Sequence, residues 1–339
     1  MESNELQQAL FNHIKAKIPA HISLVDAVAN LLDLSNDSAY RRIRGEKMIS
    51  LEEISKLAAH FKLSIDQLMN IKTTDFTVFS GKYVKAETFD FDMFLKKILS
   101  DMIFLNSFKN KEMIYFCKDM VFFYWYAFPE IAAFKNFAWM KTLLQFPEFA
   151  NKPFEFKVFE KPLLETSSKI VHQYMQMPST EIMNVSNIHT TLYQIEYYKT
   201  ARLFRSEEEL KVIYDQLHQV LDHLQAQAEI GVKFMPGEKE KSNSPRYNLY
   251  VNDFVVGDNS NLAIVEGSKM SFIFHSHVNY MSTTDEMFTA YHQNFLQNVM
   301  SKSILLSKSG ERLRNGFFYL MHEEIEKSRN NEIKSFGKY

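Results

Sequence analysis

Apolar residues recur every three or four positions through roughly the first seventy residues, which is the spacing of amphipathic helices. A first helix is predicted to end before Pro19 and a second to begin at Ser23. A third, over residues 36–44, is short and ends at Gly45, because glycine readily adopts the left-handed conformation found at helix C-termini.

Two further helices begin with sequences typical of capping boxes. Ser50 is followed by Glu53, and Ser64 by Gln67, so that each pair can satisfy backbone amides at a helix N-terminus. A short polar segment then separates this five-helix unit from a long, aromatic-rich remainder. We therefore expect an N-terminal domain over residues 1–72.

The remainder is predicted to be mainly helical, with a small sheet near its end. Helical spacing predicts segments over residues 91–105, 111–128, 131–144, 178–198, 206–230, 285–300 and 310–327. Three β-like runs separated by glycine turns, at 248–256, 262–266 and 270–280, predict a three-stranded antiparallel sheet. The expected fold class is mainly α, with a helical region over residues 76–235 and an α+β region over residues 245–339.

Composition agrees with a helix-rich, tightly filled interior. The 339 residues include 30 Phe and 16 Tyr but only 9 Gly and 8 Pro. The formal net charge is −2, so any contact with nucleic acid must come from a local basic face rather than from bulk charge. Cys117 is the only cysteine, which excludes an internal disulfide or a zinc cage. Since no signal peptide or membrane span is recognisable, we expect a cytoplasmic protein without a membrane partner.

The segment over residues 23–68 has the pattern of a helix-turn-helix. Ala29 is small where the two helices would cross, the link over residues 34–36 is short, and the helix that follows is basic. Ala39 and Ile43 are four residues apart and are predicted to face inward, which leaves the polar residues of that helix facing outward.

Arginine reads guanine bidentately or pairs with phosphate, and Ser and Asn do either more weakly. The predicted DNA contacts are Ser35, Asn36, Ser38, Tyr40, Arg41, Arg42, Arg44 and Lys47. The sequence therefore predicts a sequence-specific double-stranded DNA-binding transcription regulator whose recognition helix spans about residues 36–44. The alternative is a protein-interaction scaffold whose N-terminal helices dock a partner without binding DNA.

The same segment resembles the lambda-repressor-like (Xre-type) helix-turn-helix domain, over about a fifth of the chain. Arg44-Gly45 lies where that family has an Arg-Gly at the end of its recognition helix, and Leu63–Leu68 resembles its closing helix. The resemblance implies a five-helix DNA-binding fold. Since regulators of this type usually read paired half-sites, it also implies a homodimer, with a dimerisation surface within residues 76–339.

The downstream region is more loosely similar to the C-terminal part of long helix-turn-helix regulators common in Bacteroidetes. The residues that carry this likeness are Lys118-Asp119, Phe128-Pro129-Glu130, Ala132-Ala133-Phe134-Lys135, Gln194-Ile195-Glu196-Tyr197-Tyr198 and Gln227-Ala228-Glu229. This likeness implies no particular chemistry.

Two polar patterns each have two interpretations. His275 and His277 share one face of a predicted strand, either as a metal-binding pair or as ordinary strand histidines. Ser307, Ser309 and Arg312 surround a helix start, either as an anion or ligand site or as a simple helix cap with a charged first turn.

Two apolar patterns are also open. The aromatic block over residues 115–139 either walls a ligand pocket or fills the core. The a/d seam over residues 210–224 either pairs two chains as a coiled coil or packs within one chain.

No nucleotide-binding loop, hydrolase elbow or zinc-protease motif occurs in the sequence. We therefore expect no catalytic residues, no metal and no cofactor, and we leave open an unknown small-molecule or protein effector.

Overall fold

A computed structural model describes residues 3–18, 22–61, 63, 77–82, 89–158, 161–254, 259–274 and 279–330. The chain divides into two compact units, Met1–Val78 and Phe79–Tyr339, which we call the N-terminal unit and the C-terminal unit.

The described part of the N-terminal unit is helical. Its helices are α1 (Ser3–Lys17), α2 (Leu24–Leu32), α3 (Asn36–Ile43) and α4 (Leu51–Phe61). They enclose a small apolar core that consists of Leu10, Phe11, Ile14, Val28, Ala29, Leu32, Ala39 and Leu57. The first four predicted helices are confirmed, and the predicted fifth, from Ser64, lies outside the described residues.

The C-terminal unit is built on one mixed sheet of eight strands, so the predicted mainly α fold with a small three-stranded antiparallel sheet is wrong. The strands are β1 (Ser80–Lys82), β2 (Lys111–Phe116), β3 (Ser179–Met183), β4 (Tyr247–Val251), β5 (Ser260–Val265), β6 (Ser268–Phe274), β7 (Tyr280–Thr283) and β8 (Ile304–Leu305). Their order across the sheet is β1-β7-β6-β5-β2-β3-β4-β8. β3 runs parallel to both of its neighbours, β2 and β4, and the other pairs are antiparallel.

The error lies in β2 and β3, the two strands that the sequence assigns to helices over residues 111–128 and 178–198. Every residue of β3 is buried, as are the last four of β2. A strand covered on both faces shows no alternation of apolar and polar residues, so its periodicity does not distinguish it from a buried helix. β2 pairs with β5, and β3 pairs with β4. The predicted regions over residues 76–235 and 245–339 therefore share one sheet.

Helices cover both faces of this sheet. They are α5 (Phe91–Asn106), α6 (Pro129–Ala138), α7 (Lys161–Met175), α8 (His189–Thr200), α9 (Glu207–Ile230), α10 (Glu286–Ser301) and α11 (Glu311–Asn330). One face packs against α10 through Ile114, Ile182 and Leu296, among others. The opposite face carries the large aromatic core.

The long helix α9 is the best-predicted element of this unit. The Ser206 hydroxyl accepts a hydrogen bond from the Glu209 amide at 3.3 Å, and Gly231 ends the helix with φ 77°. Its apolar seam is buried within the aromatic core, as Leu217 and Val220 show, so packing within one chain accounts for it. Most of the aromatic block over residues 115–139 fills the same core.

A polar cluster, which we call the Glu181 cluster, is buried inside this core. Glu181 on β3 is completely buried, and its carboxylate accepts hydrogen bonds from Tyr124 at 3.0 Å, from Tyr247 at 3.1 Å and from Tyr174. The Nζ of Lys233 lies 3.1 Å from the centre of the Tyr174 ring and donates to the Tyr174 carbonyl at 3.2 Å. Burial lowers the pKa of Lys233 to about 7, although the charge of Glu181 opposes this shift.

Candidate nucleic-acid interface

The third helix of the N-terminal unit, α3, has defined signals at both ends. The Ser35 hydroxyl accepts a hydrogen bond from the Ser38 amide at 3.3 Å, which satisfies one of the free amides at the helix start. Gly45 follows the last turn with φ 78°, a conformation that glycine adopts without steric cost. The predicted recognition helix therefore forms where the sequence places it.

The inward face of α3 is held by a buried arginine. Arg42 is only 5% exposed and forms a bidentate pair with Glu53 of α4, with nitrogen–oxygen distances of 2.7 and 3.1 Å. Its third nitrogen donates to the carbonyl and the hydroxyl of Ser38, at 3.1 and 3.0 Å. Arg42 therefore uses its guanidinium to join α3 to α4, with Ala39 completely buried beside it.

Glu53 has a second task at the start of α4. Its carboxylate accepts from the Ser50 amide at 2.9 Å, while its own amide donates to the Ser50 hydroxyl at 3.2 Å, which confirms the predicted capping box. Partial burial raises the pKa of Glu53, but the hydrogen bonds from Arg42 and Ser50 outweigh this and hold the pKa below its ordinary value. One carboxylate thus fixes both a helix start and a helix–helix contact.

The outward face of α3 is basic and aromatic. Tyr40 is 47% exposed, and the side chain of Arg44 is 58% exposed. The Arg44 guanidinium lies 5.6 Å from the centre of the Tyr40 ring, and its Nε is 3.3 Å from Glu46. Arg41 is also exposed on this helix, and Lys47 is exposed in the loop that follows. Six of the eight predicted contact residues are therefore exposed, and four of them, Tyr40, Arg41, Arg44 and Lys47, form this basic and aromatic surface.

The other predicted contact residues have partners inside the unit. Ser35 caps α3, Ser38 accepts from Arg42, and Arg42 pairs with Glu53. Asn36 is exposed, but its side-chain Nδ2 donates to the carboxylate of Asp26 at 2.9 Å.

Gln7, a buried glutamine on α1, has a structural role that was not predicted from the sequence. Its amide nitrogen donates to the carbonyls of Arg42 and Lys47, at 2.7 and 2.8 Å, and its oxygen accepts from the Ile49 amide at 3.0 Å. These bonds brace the loop after α3. No local signal in the sequence reveals this role, because the partners lie 35 to 42 residues away.

The basic character of this region is local. Residues 22–61 contain five Lys or Arg and six Asp or Glu, so the fragment as a whole is not cationic. The cations are concentrated between Arg41 and Lys47, and Arg42 is neutralised by its partner. Within residues 41–47, the exposed positive charge available for a phosphate backbone is therefore that of Arg41, Arg44 and Lys47, with Glu46 beside them.

The remaining predicted sites lie in the C-terminal unit. Ser307 is buried, and its hydroxyl accepts from the Leu249 amide at 2.8 Å, whereas Ser309 and Arg312 are exposed. His275 and His277 lie outside the described residues. Among the residues that are described, no group of three His, Cys, Asp or Glu side chains is placed to hold a metal ion.

Residues 15–83 match the BetR domain, a helix-turn-helix-like DNA-binding domain family. The matched segment contains α2, α3 and α4. This match supports a helix-turn-helix regulator in general. Neither the curated proteins nor the solved structures contain a match to the chain.

Within the described residues, no helix is both long enough and apolar enough to cross a membrane.

Proposed function

We propose that the chain is a sequence-specific, double-stranded DNA-binding transcription regulator of the lambda-repressor-like type. In this proposal α3 enters the major groove and the chain acts as a homodimer on paired half-sites. The observation that carries the proposal is the division of α3 into two faces. Arg42 and Ala39 attach the helix to its unit, while Tyr40, Arg41 and Arg44 project outward.

The proposed contacts differ in kind along this surface. Arg41 lies in the last turn of α3, and we assign it a base edge, since arginine is the commonest specific reader of guanine. Lys47 follows the helix in an exposed loop, and we assign it a backbone phosphate. Arg42 is a positioning residue in this scheme, because its guanidinium is occupied by Glu53.

The first experiment maps the DNA that the full-length protein binds across the genome of its source organism. Band shifts on a recovered site then compare wild type with Arg41→Ala and Lys47→Ala at several salt concentrations. Loss of Arg41 is expected to cost about 1–3 kcal/mol on the specific site and to relax sequence preference. Loss of Lys47 is expected to weaken all sequences alike and to reduce the slope of log K against log salt by about 1.

Lys56→Ala is the matched control, because Lys56 is an exposed cation of α4 that pairs with Glu52. This variant is expected to bind like wild type. Unchanged binding by both Arg41→Ala and Lys47→Ala would reject this surface as the DNA interface and would favour the protein-interaction scaffold.

A further inference from the structure

An open cavity of about 360 Å³ lies between α5 and the sheet of the C-terminal unit. Helix α5 lines it with Phe94, Ile98 and Phe104, and the sheet lines it with Tyr115, Phe272 and Phe274, among others. Sites for small organic molecules are typically about 300–1,000 Å³ and mostly apolar, with a few placed polar groups. The size and the lining of this cavity fit that description.

Strand register places one polar side chain in the middle of this aromatic wall. Asn261 on β5 pairs with Tyr115 on β2 and with Phe272 on β6, and Phe272 pairs with Ser282 on β7. Residues directly opposite each other in neighbouring strands point to the same face of a sheet. Asn261 therefore lies on the cavity face, between two aromatic residues that line the cavity.

The Asn261 amide oxygen lacks a hydrogen bond. The residue is 5% exposed, and this oxygen has no partner among the described residues. Tyr115, which lies opposite Asn261 on β2, does not donate to this oxygen, because the Tyr115 hydroxyl donates to the Met113 sulfur at 3.3 Å. A buried acceptor without a donor is costly, and native proteins rarely keep one without a reason.

The charge of the lining limits the ligand further. Asp101 is the only ionisable carboxylate or amine among the lining residues, and it pairs with Lys97 of the same helix. The described residues of the lining therefore offer no unpaired charge to a ligand.

We propose that this cavity binds a small, neutral, planar aromatic molecule that donates an N–H or O–H hydrogen bond to Asn261. The rings of the ligand lie against the aromatic residues of β2 and β6. The Asn261 oxygen is closed to solvent in this structure, so in this proposal the side-chain amide turns about its terminal torsion to accept from the ligand. This inference concerns the C-terminal unit alone and does not depend on DNA binding.

Calorimetric titration of the full-length protein with two probes of equal shape tests the proposal. Indole has the N–H donor, and benzothiophene replaces it with sulfur. We expect saturable indole binding with a Kd of about 10–100 µM, which is ordinary for nine heavy atoms. Benzothiophene is expected to bind about tenfold more weakly, since one net hydrogen bond is lost.

Two variants locate the binding site. Asn261→Leu is expected to make the two affinities equal, because the acceptor is gone. Met270→Trp places a larger side chain on the cavity lining and is expected to abolish binding of both probes. Met287→Trp is the matched control, since Met287 is an exposed residue of α10 outside the lining, and it is expected to bind like wild type.

Three results would overturn the proposal: no saturable indole binding by the wild-type chain, equal wild-type affinity for the two probes, or undiminished binding by folded Met270→Trp. The comparison of probes on the wild-type chain requires no variant to fold. It is also separate from the band shifts, so a protein that binds indole but not DNA would retain this site and lose only the proposed regulator function.

Discussion

The two units of this chain place their charged groups in opposite ways. In the N-terminal unit, Arg41 on α3 and Arg44 directly after it are exposed to solvent, whereas Arg42 between them is enclosed. In the C-terminal unit, Glu181 and Lys233 are buried inside a sheet-and-helix core. Exposed charges are free to meet a ligand and contribute little to stability, whereas buried charges must be fully paired and hold the packing together. Substitutions should therefore affect mainly binding in the first unit and mainly stability in the second.

The largest expected effect is at Glu181. Glu181→Ala leaves three buried tyrosine hydroxyls without their acceptor and is expected to lower the free energy of unfolding by about 3–5 kcal/mol. Urea denaturation followed by tryptophan fluorescence measures this, since Trp125 lies in the same core. The control is Glu112→Ala on β2, whose partner Arg246 is exposed, with an expected loss below about 1 kcal/mol. Equal losses at the two positions would contradict the comparison.

The next effect is a pH dependence at Lys233. Between pH 7 and 10.5 the unfolded chain holds a proton on Lys233 that the folded chain lacks, because burial lowers the folded pKa to about 7. The contribution of Lys233 to the free energy of unfolding therefore rises with pH in that window. Below pH 7 this contribution is constant and has its lowest value. Relative to Lys233→Met, the wild type should gain roughly 3 kcal/mol between pH 7 and 10. Parallel curves of unfolding free energy against pH would show that Lys233 keeps an ordinary pKa.

Arg42 is a buried charged residue in the N-terminal unit, so a substitution there should affect stability rather than binding alone. Arg42→Ala removes the partner of a half-buried carboxylate and is expected to destabilise this unit by about 2 kcal/mol. Hydrogen exchange of the α3 and α4 amides measures the change locally. Unaltered protection would mean that Arg42 contributes no more than a surface arginine.

The smallest expected effect on stability is at Arg41, one residue earlier in the same helix. Arg41→Ala is expected to change the stability of the N-terminal unit by no more than about 0.5 kcal/mol, because the side chain is exposed. The same exchange measurement on the same amides provides the comparison. A loss as large as that of Arg42→Ala would remove the distinction between the two faces of α3.

The elements that could be predicted from the sequence are those whose determining contacts are local. The capping box of Ser50 and Glu53, the ends of α3 and the whole of α9 depend on residues within one or two turns. Prediction failed at β3, whose partners β2 and β4 lie more than sixty residues away in each direction. No pattern around Glu181 shows that three tyrosines donate to its carboxylate, because two of them, Tyr124 and Tyr247, lie 57 and 66 residues away.

The residues of the candidate DNA interface also divide into those that local spacing predicts and those that depend on contacts distant in sequence. Helical spacing alone distinguishes the inward Ala39 from the outward Tyr40 and Arg41. Assigning Arg42 to the inside requires knowing that Glu53 lies opposite it, and this follows only from the packing of α3 against α4. Asn261 was likewise not recognisable as a residue on the cavity face before the strand register was known.

The brace formed by Gln7 has an evolutionary consequence. All three of its hydrogen bonds involve main-chain atoms of Arg42, Lys47 and Ile49. These bonds therefore do not depend on which side chains occupy the neighbouring positions. Tyr40, Arg41 and Arg44 can therefore be exchanged in descendants of this gene without rebuilding the frame that carries them. If α3 reads DNA as proposed, new target preferences would arise by single substitutions, while the architecture is inherited unchanged.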